Sequence, residues 1–184
     1  MYIGTISVRY AKALYEYASL SNAEEKVYNE MLSLKESFSN VPELSRTINN
    51  PVLPSSVKSS LLLEAAGGDV SNEMKRFISL VLEQRRESVL IFMINSYCDI
   101  YRKKKNISIG KLITAHSVSE EVLERIRKIV VNTTKGELEL VNSIDSSIEG
   151  GFIFEIGTYR LDASVATQLR RIKSQFVEKN RRIV

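Results

Sequence analysis

Along the first hundred positions the apolar residues recur at intervals of three and four. In MYIGTISVRYAKALYEYASL one line runs Ile6, Tyr10, Ala13, Leu14, Tyr17 and Ala18, and a second runs Val8, Ala11, Tyr15 and Ala18. Both are helical spacings. AEEKVYNEMLSLKESF repeats the pattern with Val27, Met31, Leu34 and Phe38. Pro42 stands where it can open a short helix, LSRTI. Asn50-Pro51 then breaks the chain, because the residue before a proline is pushed out of the α region. After Pro54, SSVKSSLLLEAAGG predicts a fourth helix, with Gly67-Gly68 supplying the permissive backbone of its C-terminal cap. A fifth, SNEMKRFISLVLEQRR, turns Met74, Phe77, Ile78 and Val81 inward and leaves Leu80 outside with Arg76 and Gln84 around it. The sixth runs from about Ser88 to Lys104 on Leu90, Ile91, Ile94, Tyr97, Cys98 and Tyr101. Six helices joined by short loops predict an all-α N-terminal six-helix bundle over residues 1–105.

Past Asn106 the period changes. ISIGKLITA alternates like a strand, with a possible bulge at Gly110. Ser117 or Ser119 can cap a helix whose first turn holds Glu120 and Glu121, the sign its dipole favours, and whose face carries Val122, Leu123, Ile126, Ile129 and Val130. ELELVNSI reads as a strand. From Gly151 to Ile156, Phe152, Phe154 and Ile156 fall on one side and Ile153 and Glu155 on the other. Gly157-Thr158 fits a type II′ hairpin turn with glycine first. Asp162 and Ser164 offer caps for a last helix with Val165, Leu169, Ile172 and Phe176 on one face. Residues 106–184 thus predict a small α+β domain, β-α-β-β-β-α.

Composition narrows the function. A hydrophobic fraction of 43% and a charged fraction of 26% are those of an ordinary globular protein. No apolar run approaches the ~20 residues of a membrane-spanning helix, and the N-terminus has no secretory or transit pattern. A cytoplasmic chain is expected. The single Cys98 lies in an apolar run and reads as a small buried hydrophobe; with one cysteine and one histidine, His116, a His/Cys metal site is not expected. Basic and acidic residues nearly balance in each half, 14 against 12 in residues 1–105 and 12 against 10 in residues 106–184. The local excesses, RKKK at 102–105 and the tail from Arg170 to Arg182, read as solvated faces or helix ends.

Glycines near strands and helices raise the question of a phosphate cradle. A dinucleotide fingerprint needs G-x-G-x-x-G between a strand and a helix, and a P-loop needs G-x-x-x-x-G-K-[ST]. SSIEGGFIFEIGTYRLDASVATQLRRI has neither: its glycines precede a strand and sit at a strand–strand turn. No Ser, Cys or Lys lies in a recognisable nucleophile motif, and Glu24-Glu25 and Glu120-Glu121 sit at helix starts. Catalysis is not expected, nor is a cofactor.

The order of these features resembles one family. SVRYAKALYEYA on the first helix, the Asn50-Pro51 break followed by Lys58, Leu80 to Arg85 in the fifth helix, and above all SIEGGFIFEIGTYRLDASVATQLRRI resemble the delta subunit of F-type ATP synthases, counterpart of the mitochondrial oligomycin sensitivity-conferring protein. The family signature falls on Gly150, Gly151, Gly157, Asp162 and Ser164. A bulky Phe152, where a smaller aliphatic is commoner, is the chief departure.

The resemblance implies a non-catalytic stator subunit. It would link the top of the catalytic head to the peripheral stalk, so that proton-driven rotation is coupled to ATP synthesis. The helical domain would receive the N-terminal helix of an alpha subunit in a groove between its first and fifth helices. By resemblance that surface comprises Ile6, Tyr10, Ala13, Leu14, Tyr17, Arg76, Leu80 and Gln84. The C-terminal domain would engage the C-terminal ends of the stalk b subunits. The chain would sit peripherally on the cytoplasmic face of a bacterial inner membrane, held there only through the complex. Read from the residues alone, the two stripes of the first helix leave two arrangements open: both buried within the bundle, or one facing a partner helix. A nucleic-acid role is disfavoured by the charge balance and by strands without an RNP-like aromatic pattern. A small enzyme with a site invisible to motif reading ranks lower.

Overall fold

The computed structural model describes residues 2–121, 123–124 and 137–181. The chain divides into two compact units, residues 1–104 and 105–184. The described residues form seven α-helices with defined bounds, the opening of another at Glu120, and one four-stranded mixed sheet.

The first unit holds α1 (Tyr2–Leu20), α2 (Glu24–Asn40), α3 (Pro42–Ile48), α4 (Ser55–Ala65), α5 (Asn72–Glu83) and α6 (Leu90–Lys105, which runs one residue into the second unit). Each element interior follows the apolar spacing, and each end has a local cause. At α1 the chain turns through Asn22 at φ 52, and Ala23 N–H donates to Ala18 C=O across the cap at 2.9 Å. At α4, Gly67 and Gly68 take positive φ, and Gly68 N–H donates to Leu63 C=O at 3.0 Å. This is the Schellman pattern, which satisfies carbonyls the helix leaves open. Pro42 opens α3 as expected. Two boundaries differ from the spacing. α5 stops at Glu83 rather than continuing to Arg86, because Arg85 turns left-handed at φ 50 and Arg86 N–H closes on Val81 C=O at 3.0 Å. The segment before α6 starts as a 3₁₀ turn, Glu87–Val89.

The core of this unit collects Ala11, Leu14 and Ala18 from α1, Val27, Met31 and Leu34 from α2, Met74, Ile78 and Val81 from α5, and Leu90, Met93, Ile94 and Tyr97 from α6. Full burial of one Leu, Ile or Met side chain stabilises by about 1.5–3 kcal/mol. Cys98 is buried among them. Two polar clamps cross this core. Glu30 on α2 is 6% exposed and accepts from Ser71 N–H at 2.6 Å and from Ser71 Oγ–H at 2.7 Å; Ser71 Oγ in turn accepts from Met74 N–H and caps α5. Lys58 on α4 donates to Glu87 at 2.9 Å, both side chains nearly buried.

The second unit is built on the sheet of β1 (Ile107–Thr114), β2 (Glu137–Ile144), β3 (Phe152–Ile156) and β4 (Tyr159–Asp162), in the order β2-β1-β3-β4. β1 runs parallel to β2 and antiparallel to β3, and β3 and β4 form a hairpin. Gly157 at φ 56 with Thr158 on the negative side is the pattern of a II′ turn. Gly110 is not a bulge. It stays in register with both Leu140 and Ile156, and the reason for glycine is space: a Cβ there would lie 3.0 Å from Leu138 and Phe154. The helix expected after Ser119 begins at Glu120, with Leu123 N–H donating to Ser119 C=O at 3.2 Å. Val122, Ile126, Ile129 and Val130 lie outside the described residues. The last helix, α7 (Val165–Arg181), leaves Val165, Leu169 and Ile172 between 38% and 52% exposed among the described residues. The Phe176 side chain falls outside them. None of the described helices is long and apolar enough to cross a membrane.

Candidate functional site

The face of α1 decides what the first unit can bind. Ser7, Ala11, Leu14 and Ala18 are buried and form the seam that packs into the core. Each of the two apolar lines in the sequence therefore mixes core positions with outward ones. Ile6, Tyr10 and Tyr17 are half-buried on one flank of the seam, with Ala13 exposed between them. Val8 and Tyr15 lie on the other flank, Val8 51% exposed.

Beside the first flank runs a groove of about 430 Å³. Its α1 wall is Arg9, Tyr10, Ala13, Leu14 and Tyr17, and its α5 wall is Glu73, Arg76, Phe77 and Leu80. The helices run antiparallel here, since Tyr10 meets Arg86, Tyr17 meets Arg76 and Ser21 meets Glu73. Leu80 is 45% exposed at its edge, and the methyl of Ala13 leaves the trough open. Phe77 belongs to the core and also forms the floor.

Polar contacts hold the rim. Arg86 Nη1 donates to Tyr10 Oη at 2.9 Å, with the guanidinium 5.2 Å from the ring centroid. Arg76 donates to Tyr17 Oη and lies 5.9 Å from that ring. Such contacts combine a hydrogen bond with a cation–π attraction and pre-order the two tyrosines. At the far end Ser21 Oγ donates to Glu73 at 2.7 Å, which holds the Glu73 carboxyl below its ordinary value of 4.5.

Of the surface implied by resemblance, the structure brings together Tyr10, Ala13, Leu14, Tyr17, Arg76 and Leu80 on one groove. Ile6 lies on the same flank of α1 but does not line it, and Gln84 is the exposed cap residue beyond the last turn of α5. Arg9, Glu73, Phe77 and the rim contact of Arg86 were missed. Glu73 sits three residues from Arg76 and seven from Leu80, a helical spacing that marks it as a neighbour; Arg86 follows a left-handed turn that no residue type announces.

The residues of the glycine-rich signature do a different job in the second unit. Gly151 stands at φ 73 with Ala163 C=O only 2.3 Å from where a Cβ would be, and Gly150 C=O accepts from Val165 N–H at 3.0 Å. Asp162 accepts from Ser164 N–H at 3.0 Å, Ser164 Oγ–H at 2.6 Å and Thr167 Oγ–H at 3.0 Å, while Ser164 Oγ accepts from Thr167 N–H as the cap of α7. These bonds hold the Asp162 carboxyl below 3.8. The signature is a latch that seats the start of α7 against the start of β3, and Gly157 makes the hairpin turn. His116 is exposed in the loop after β1, its carbonyl accepting from Thr114 Oγ–H at 2.8 Å.

The family profile described as "ATP synthase delta (OSCP) subunit" matches residues 6–176. The chain belongs to that family. It is 60% identical to the ATP synthase subunit delta of Phocaeicola vulgatus over the whole of both chains, and 50% identical to that of Bacteroides fragilis, again end to end. A chain of the Toxoplasma gondii mitochondrial ATP synthase hexamer shares the fold, with a TM-score of 0.69 at 22% identity, covering 93% of this chain and 97% of its own. The family is a structural, non-catalytic subunit of the ATP synthase.

Proposed function

We propose that this chain is the stator link of its ATP synthase. Residues 1–105, acting as one six-helix bundle, seat the N-terminal helix of an alpha subunit in the groove between α1 and α5, and residues 106–184 hold the C-terminal ends of the stalk b subunits. The observation that carries this reading is the groove itself: an apolar floor of Leu14 and Phe77, Leu80 exposed at its edge, a gap at Ala13, and two tyrosines fixed at the rim. That is the shape and chemistry an amphipathic helix requires, with rim tyrosines adding contact area while keeping their hydroxyls satisfied. The uncovered apolar face of α7 supports a partner for the second unit. The subunit acts by resisting torque: held at both ends, it keeps the head from turning with the central shaft. It belongs to the membrane only through the complex, on the cytoplasmic face of a bacterial inner membrane.

Reconstitution tests this. Synthase depleted of the subunit is rebuilt with wild-type chain or with a Tyr10→Asp/Leu80→Asp double variant that retains its helical circular dichroism. The variant complex should hydrolyse ATP yet fail to pump ions into vesicles. Pumping equal to wild type would remove the groove from the coupling path.

A further inference from the structure

The groove between α1 and α5 leaves two sequence features unused: the basic run at 102–105 and the outward line of Val8 and Tyr15. In the first unit they meet. A second trough, of about 510 Å³, runs between α1 and α6, and Val8, Tyr15 and Ile100 form its floor. Lys12 stands on the α1 side, and Lys103 and Lys104 on the α6 side. The one acidic residue lining it is Glu16, 3.8 Å from Lys12 in an exposed pair. The basic run does not act as a block. Arg102 turns away, its guanidinium 5.5 Å over the Tyr28 ring, whereas the next two lysines border the trough. Lysines in the last turn of α6 complement its dipole, but that does not explain why Val8, which lines the same trough, stays 51% exposed.

We infer that this trough is a docking site for an amphipathic helix of a partner protein, one whose apolar stripe is flanked on both sides by Asp or Glu. Val8 and Tyr15 are seven residues apart and so present one face two turns long, matching the stripe of a helix laid along it. Lysines on both rims pair with acids on both flanks of that helix and repel one with basic flanks, so charge sets the choice of partner while the floor supplies contact. RNA would find phosphate partners at the rims but a single aromatic ring on the floor, Tyr15, which is already tilted against Tyr97 at 6.2 Å between centroids, where it needs a row of stacking faces. The inference uses the opposite flank of α1 from the α1–α5 groove and stands independently of it.

Methyl and amide NMR of the full chain tests it with a synthetic helix of about five turns, leucines along one stripe and glutamates on both flanks. A second peptide carries lysines in place of the glutamates. The acidic peptide should produce saturable shifts at Val8, Tyr15 and Ile100, weakened by added salt. A Lys103→Glu/Lys104→Glu variant should bind about tenfold more weakly or worse, and Val8→Glu, on an exposed site that keeps the fold intact, should lose binding as well. The inference fails if the acidic peptide causes no shifts, if the shifts fall on Tyr10 and Leu80 instead, or if the basic peptide binds equally well. Phosphatidylglycerol vesicles that displace the acidic peptide from these residues would put a membrane surface in the trough and overturn the helical occupant.

Discussion

Gly151 has no room for even one carbon. Its φ of 73 belongs to the region that side chains rarely adopt, and the Ala163 carbonyl lies 2.3 Å from the Cβ position. Strain and clash act together, and the obstacle is backbone, which cannot swing aside. Gly151→Ala is expected to destabilise the second unit by about 3 kcal/mol or more, read from urea unfolding. The same change at Gly157 meets no neighbouring atom and costs only the turn conformation. Asp162 supplies a pH-dependent counterpart. Its carboxyl is held below 3.8, first by the Ser164 hydroxyl, then by the Ser164 N–H and by Thr167. A lowered folded-state value means that its contribution to stability is complete above the ordinary value and is lost as pH falls through the lowered one. NMR titration should place the Asp162 midpoint below 3.8, and Ser164→Ala should return it toward that value.

Among the elements, α5 carries the most, because one of its faces is core and another is groove wall. Its position is set from outside by Glu30, which binds both the N–H and the hydroxyl of the Ser71 cap. Each hydrogen bond to a charged acceptor contributes about 1.5–3 kcal/mol, and removing one partner leaves the other buried and unpaired. Glu30→Ala should therefore cost about 3 kcal/mol and Ser71→Ala about 1–2 kcal/mol. The double variant should cost clearly less than the two together, which chemical unfolding of the four-member cycle measures. The element interiors were legible in the sequence, since Met74, Phe77, Ile78 and Val81 leave no other way to orient α5. Its end was not, because Arg85 takes the left-handed cap usually given to glycine. Gly110 misled for the opposite reason: a glycine in a strand suggests a bulge, and here it answers to the Phe154 ring and the Leu138 side chain packed over it.

For the whole molecule, the division into an all-helical first half and a sheet-containing second half followed from the change of apolar period near Asn106, where the chain turns at φ 54 out of α6. The groove was legible only in part. Tyr10, Ala13 and Tyr17 stood out through resemblance, whereas spacing alone left the faces of α1 undecided. The three-sided division of that helix into seam, groove flank and lysine-bordered flank depends on where α5 and α6 pack, which no local pattern encodes. Calorimetric titration of the full chain with a peptide of the N-terminal helix of its cognate alpha subunit tests the seat most directly. Saturable one-to-one binding is expected, lost in Leu80→Asp, whose exposed site leaves the core intact. Absence of binding at high peptide concentration, or unchanged affinity in Leu80→Asp, would contradict the assignment of the α1–α5 groove as the seat of the alpha subunit.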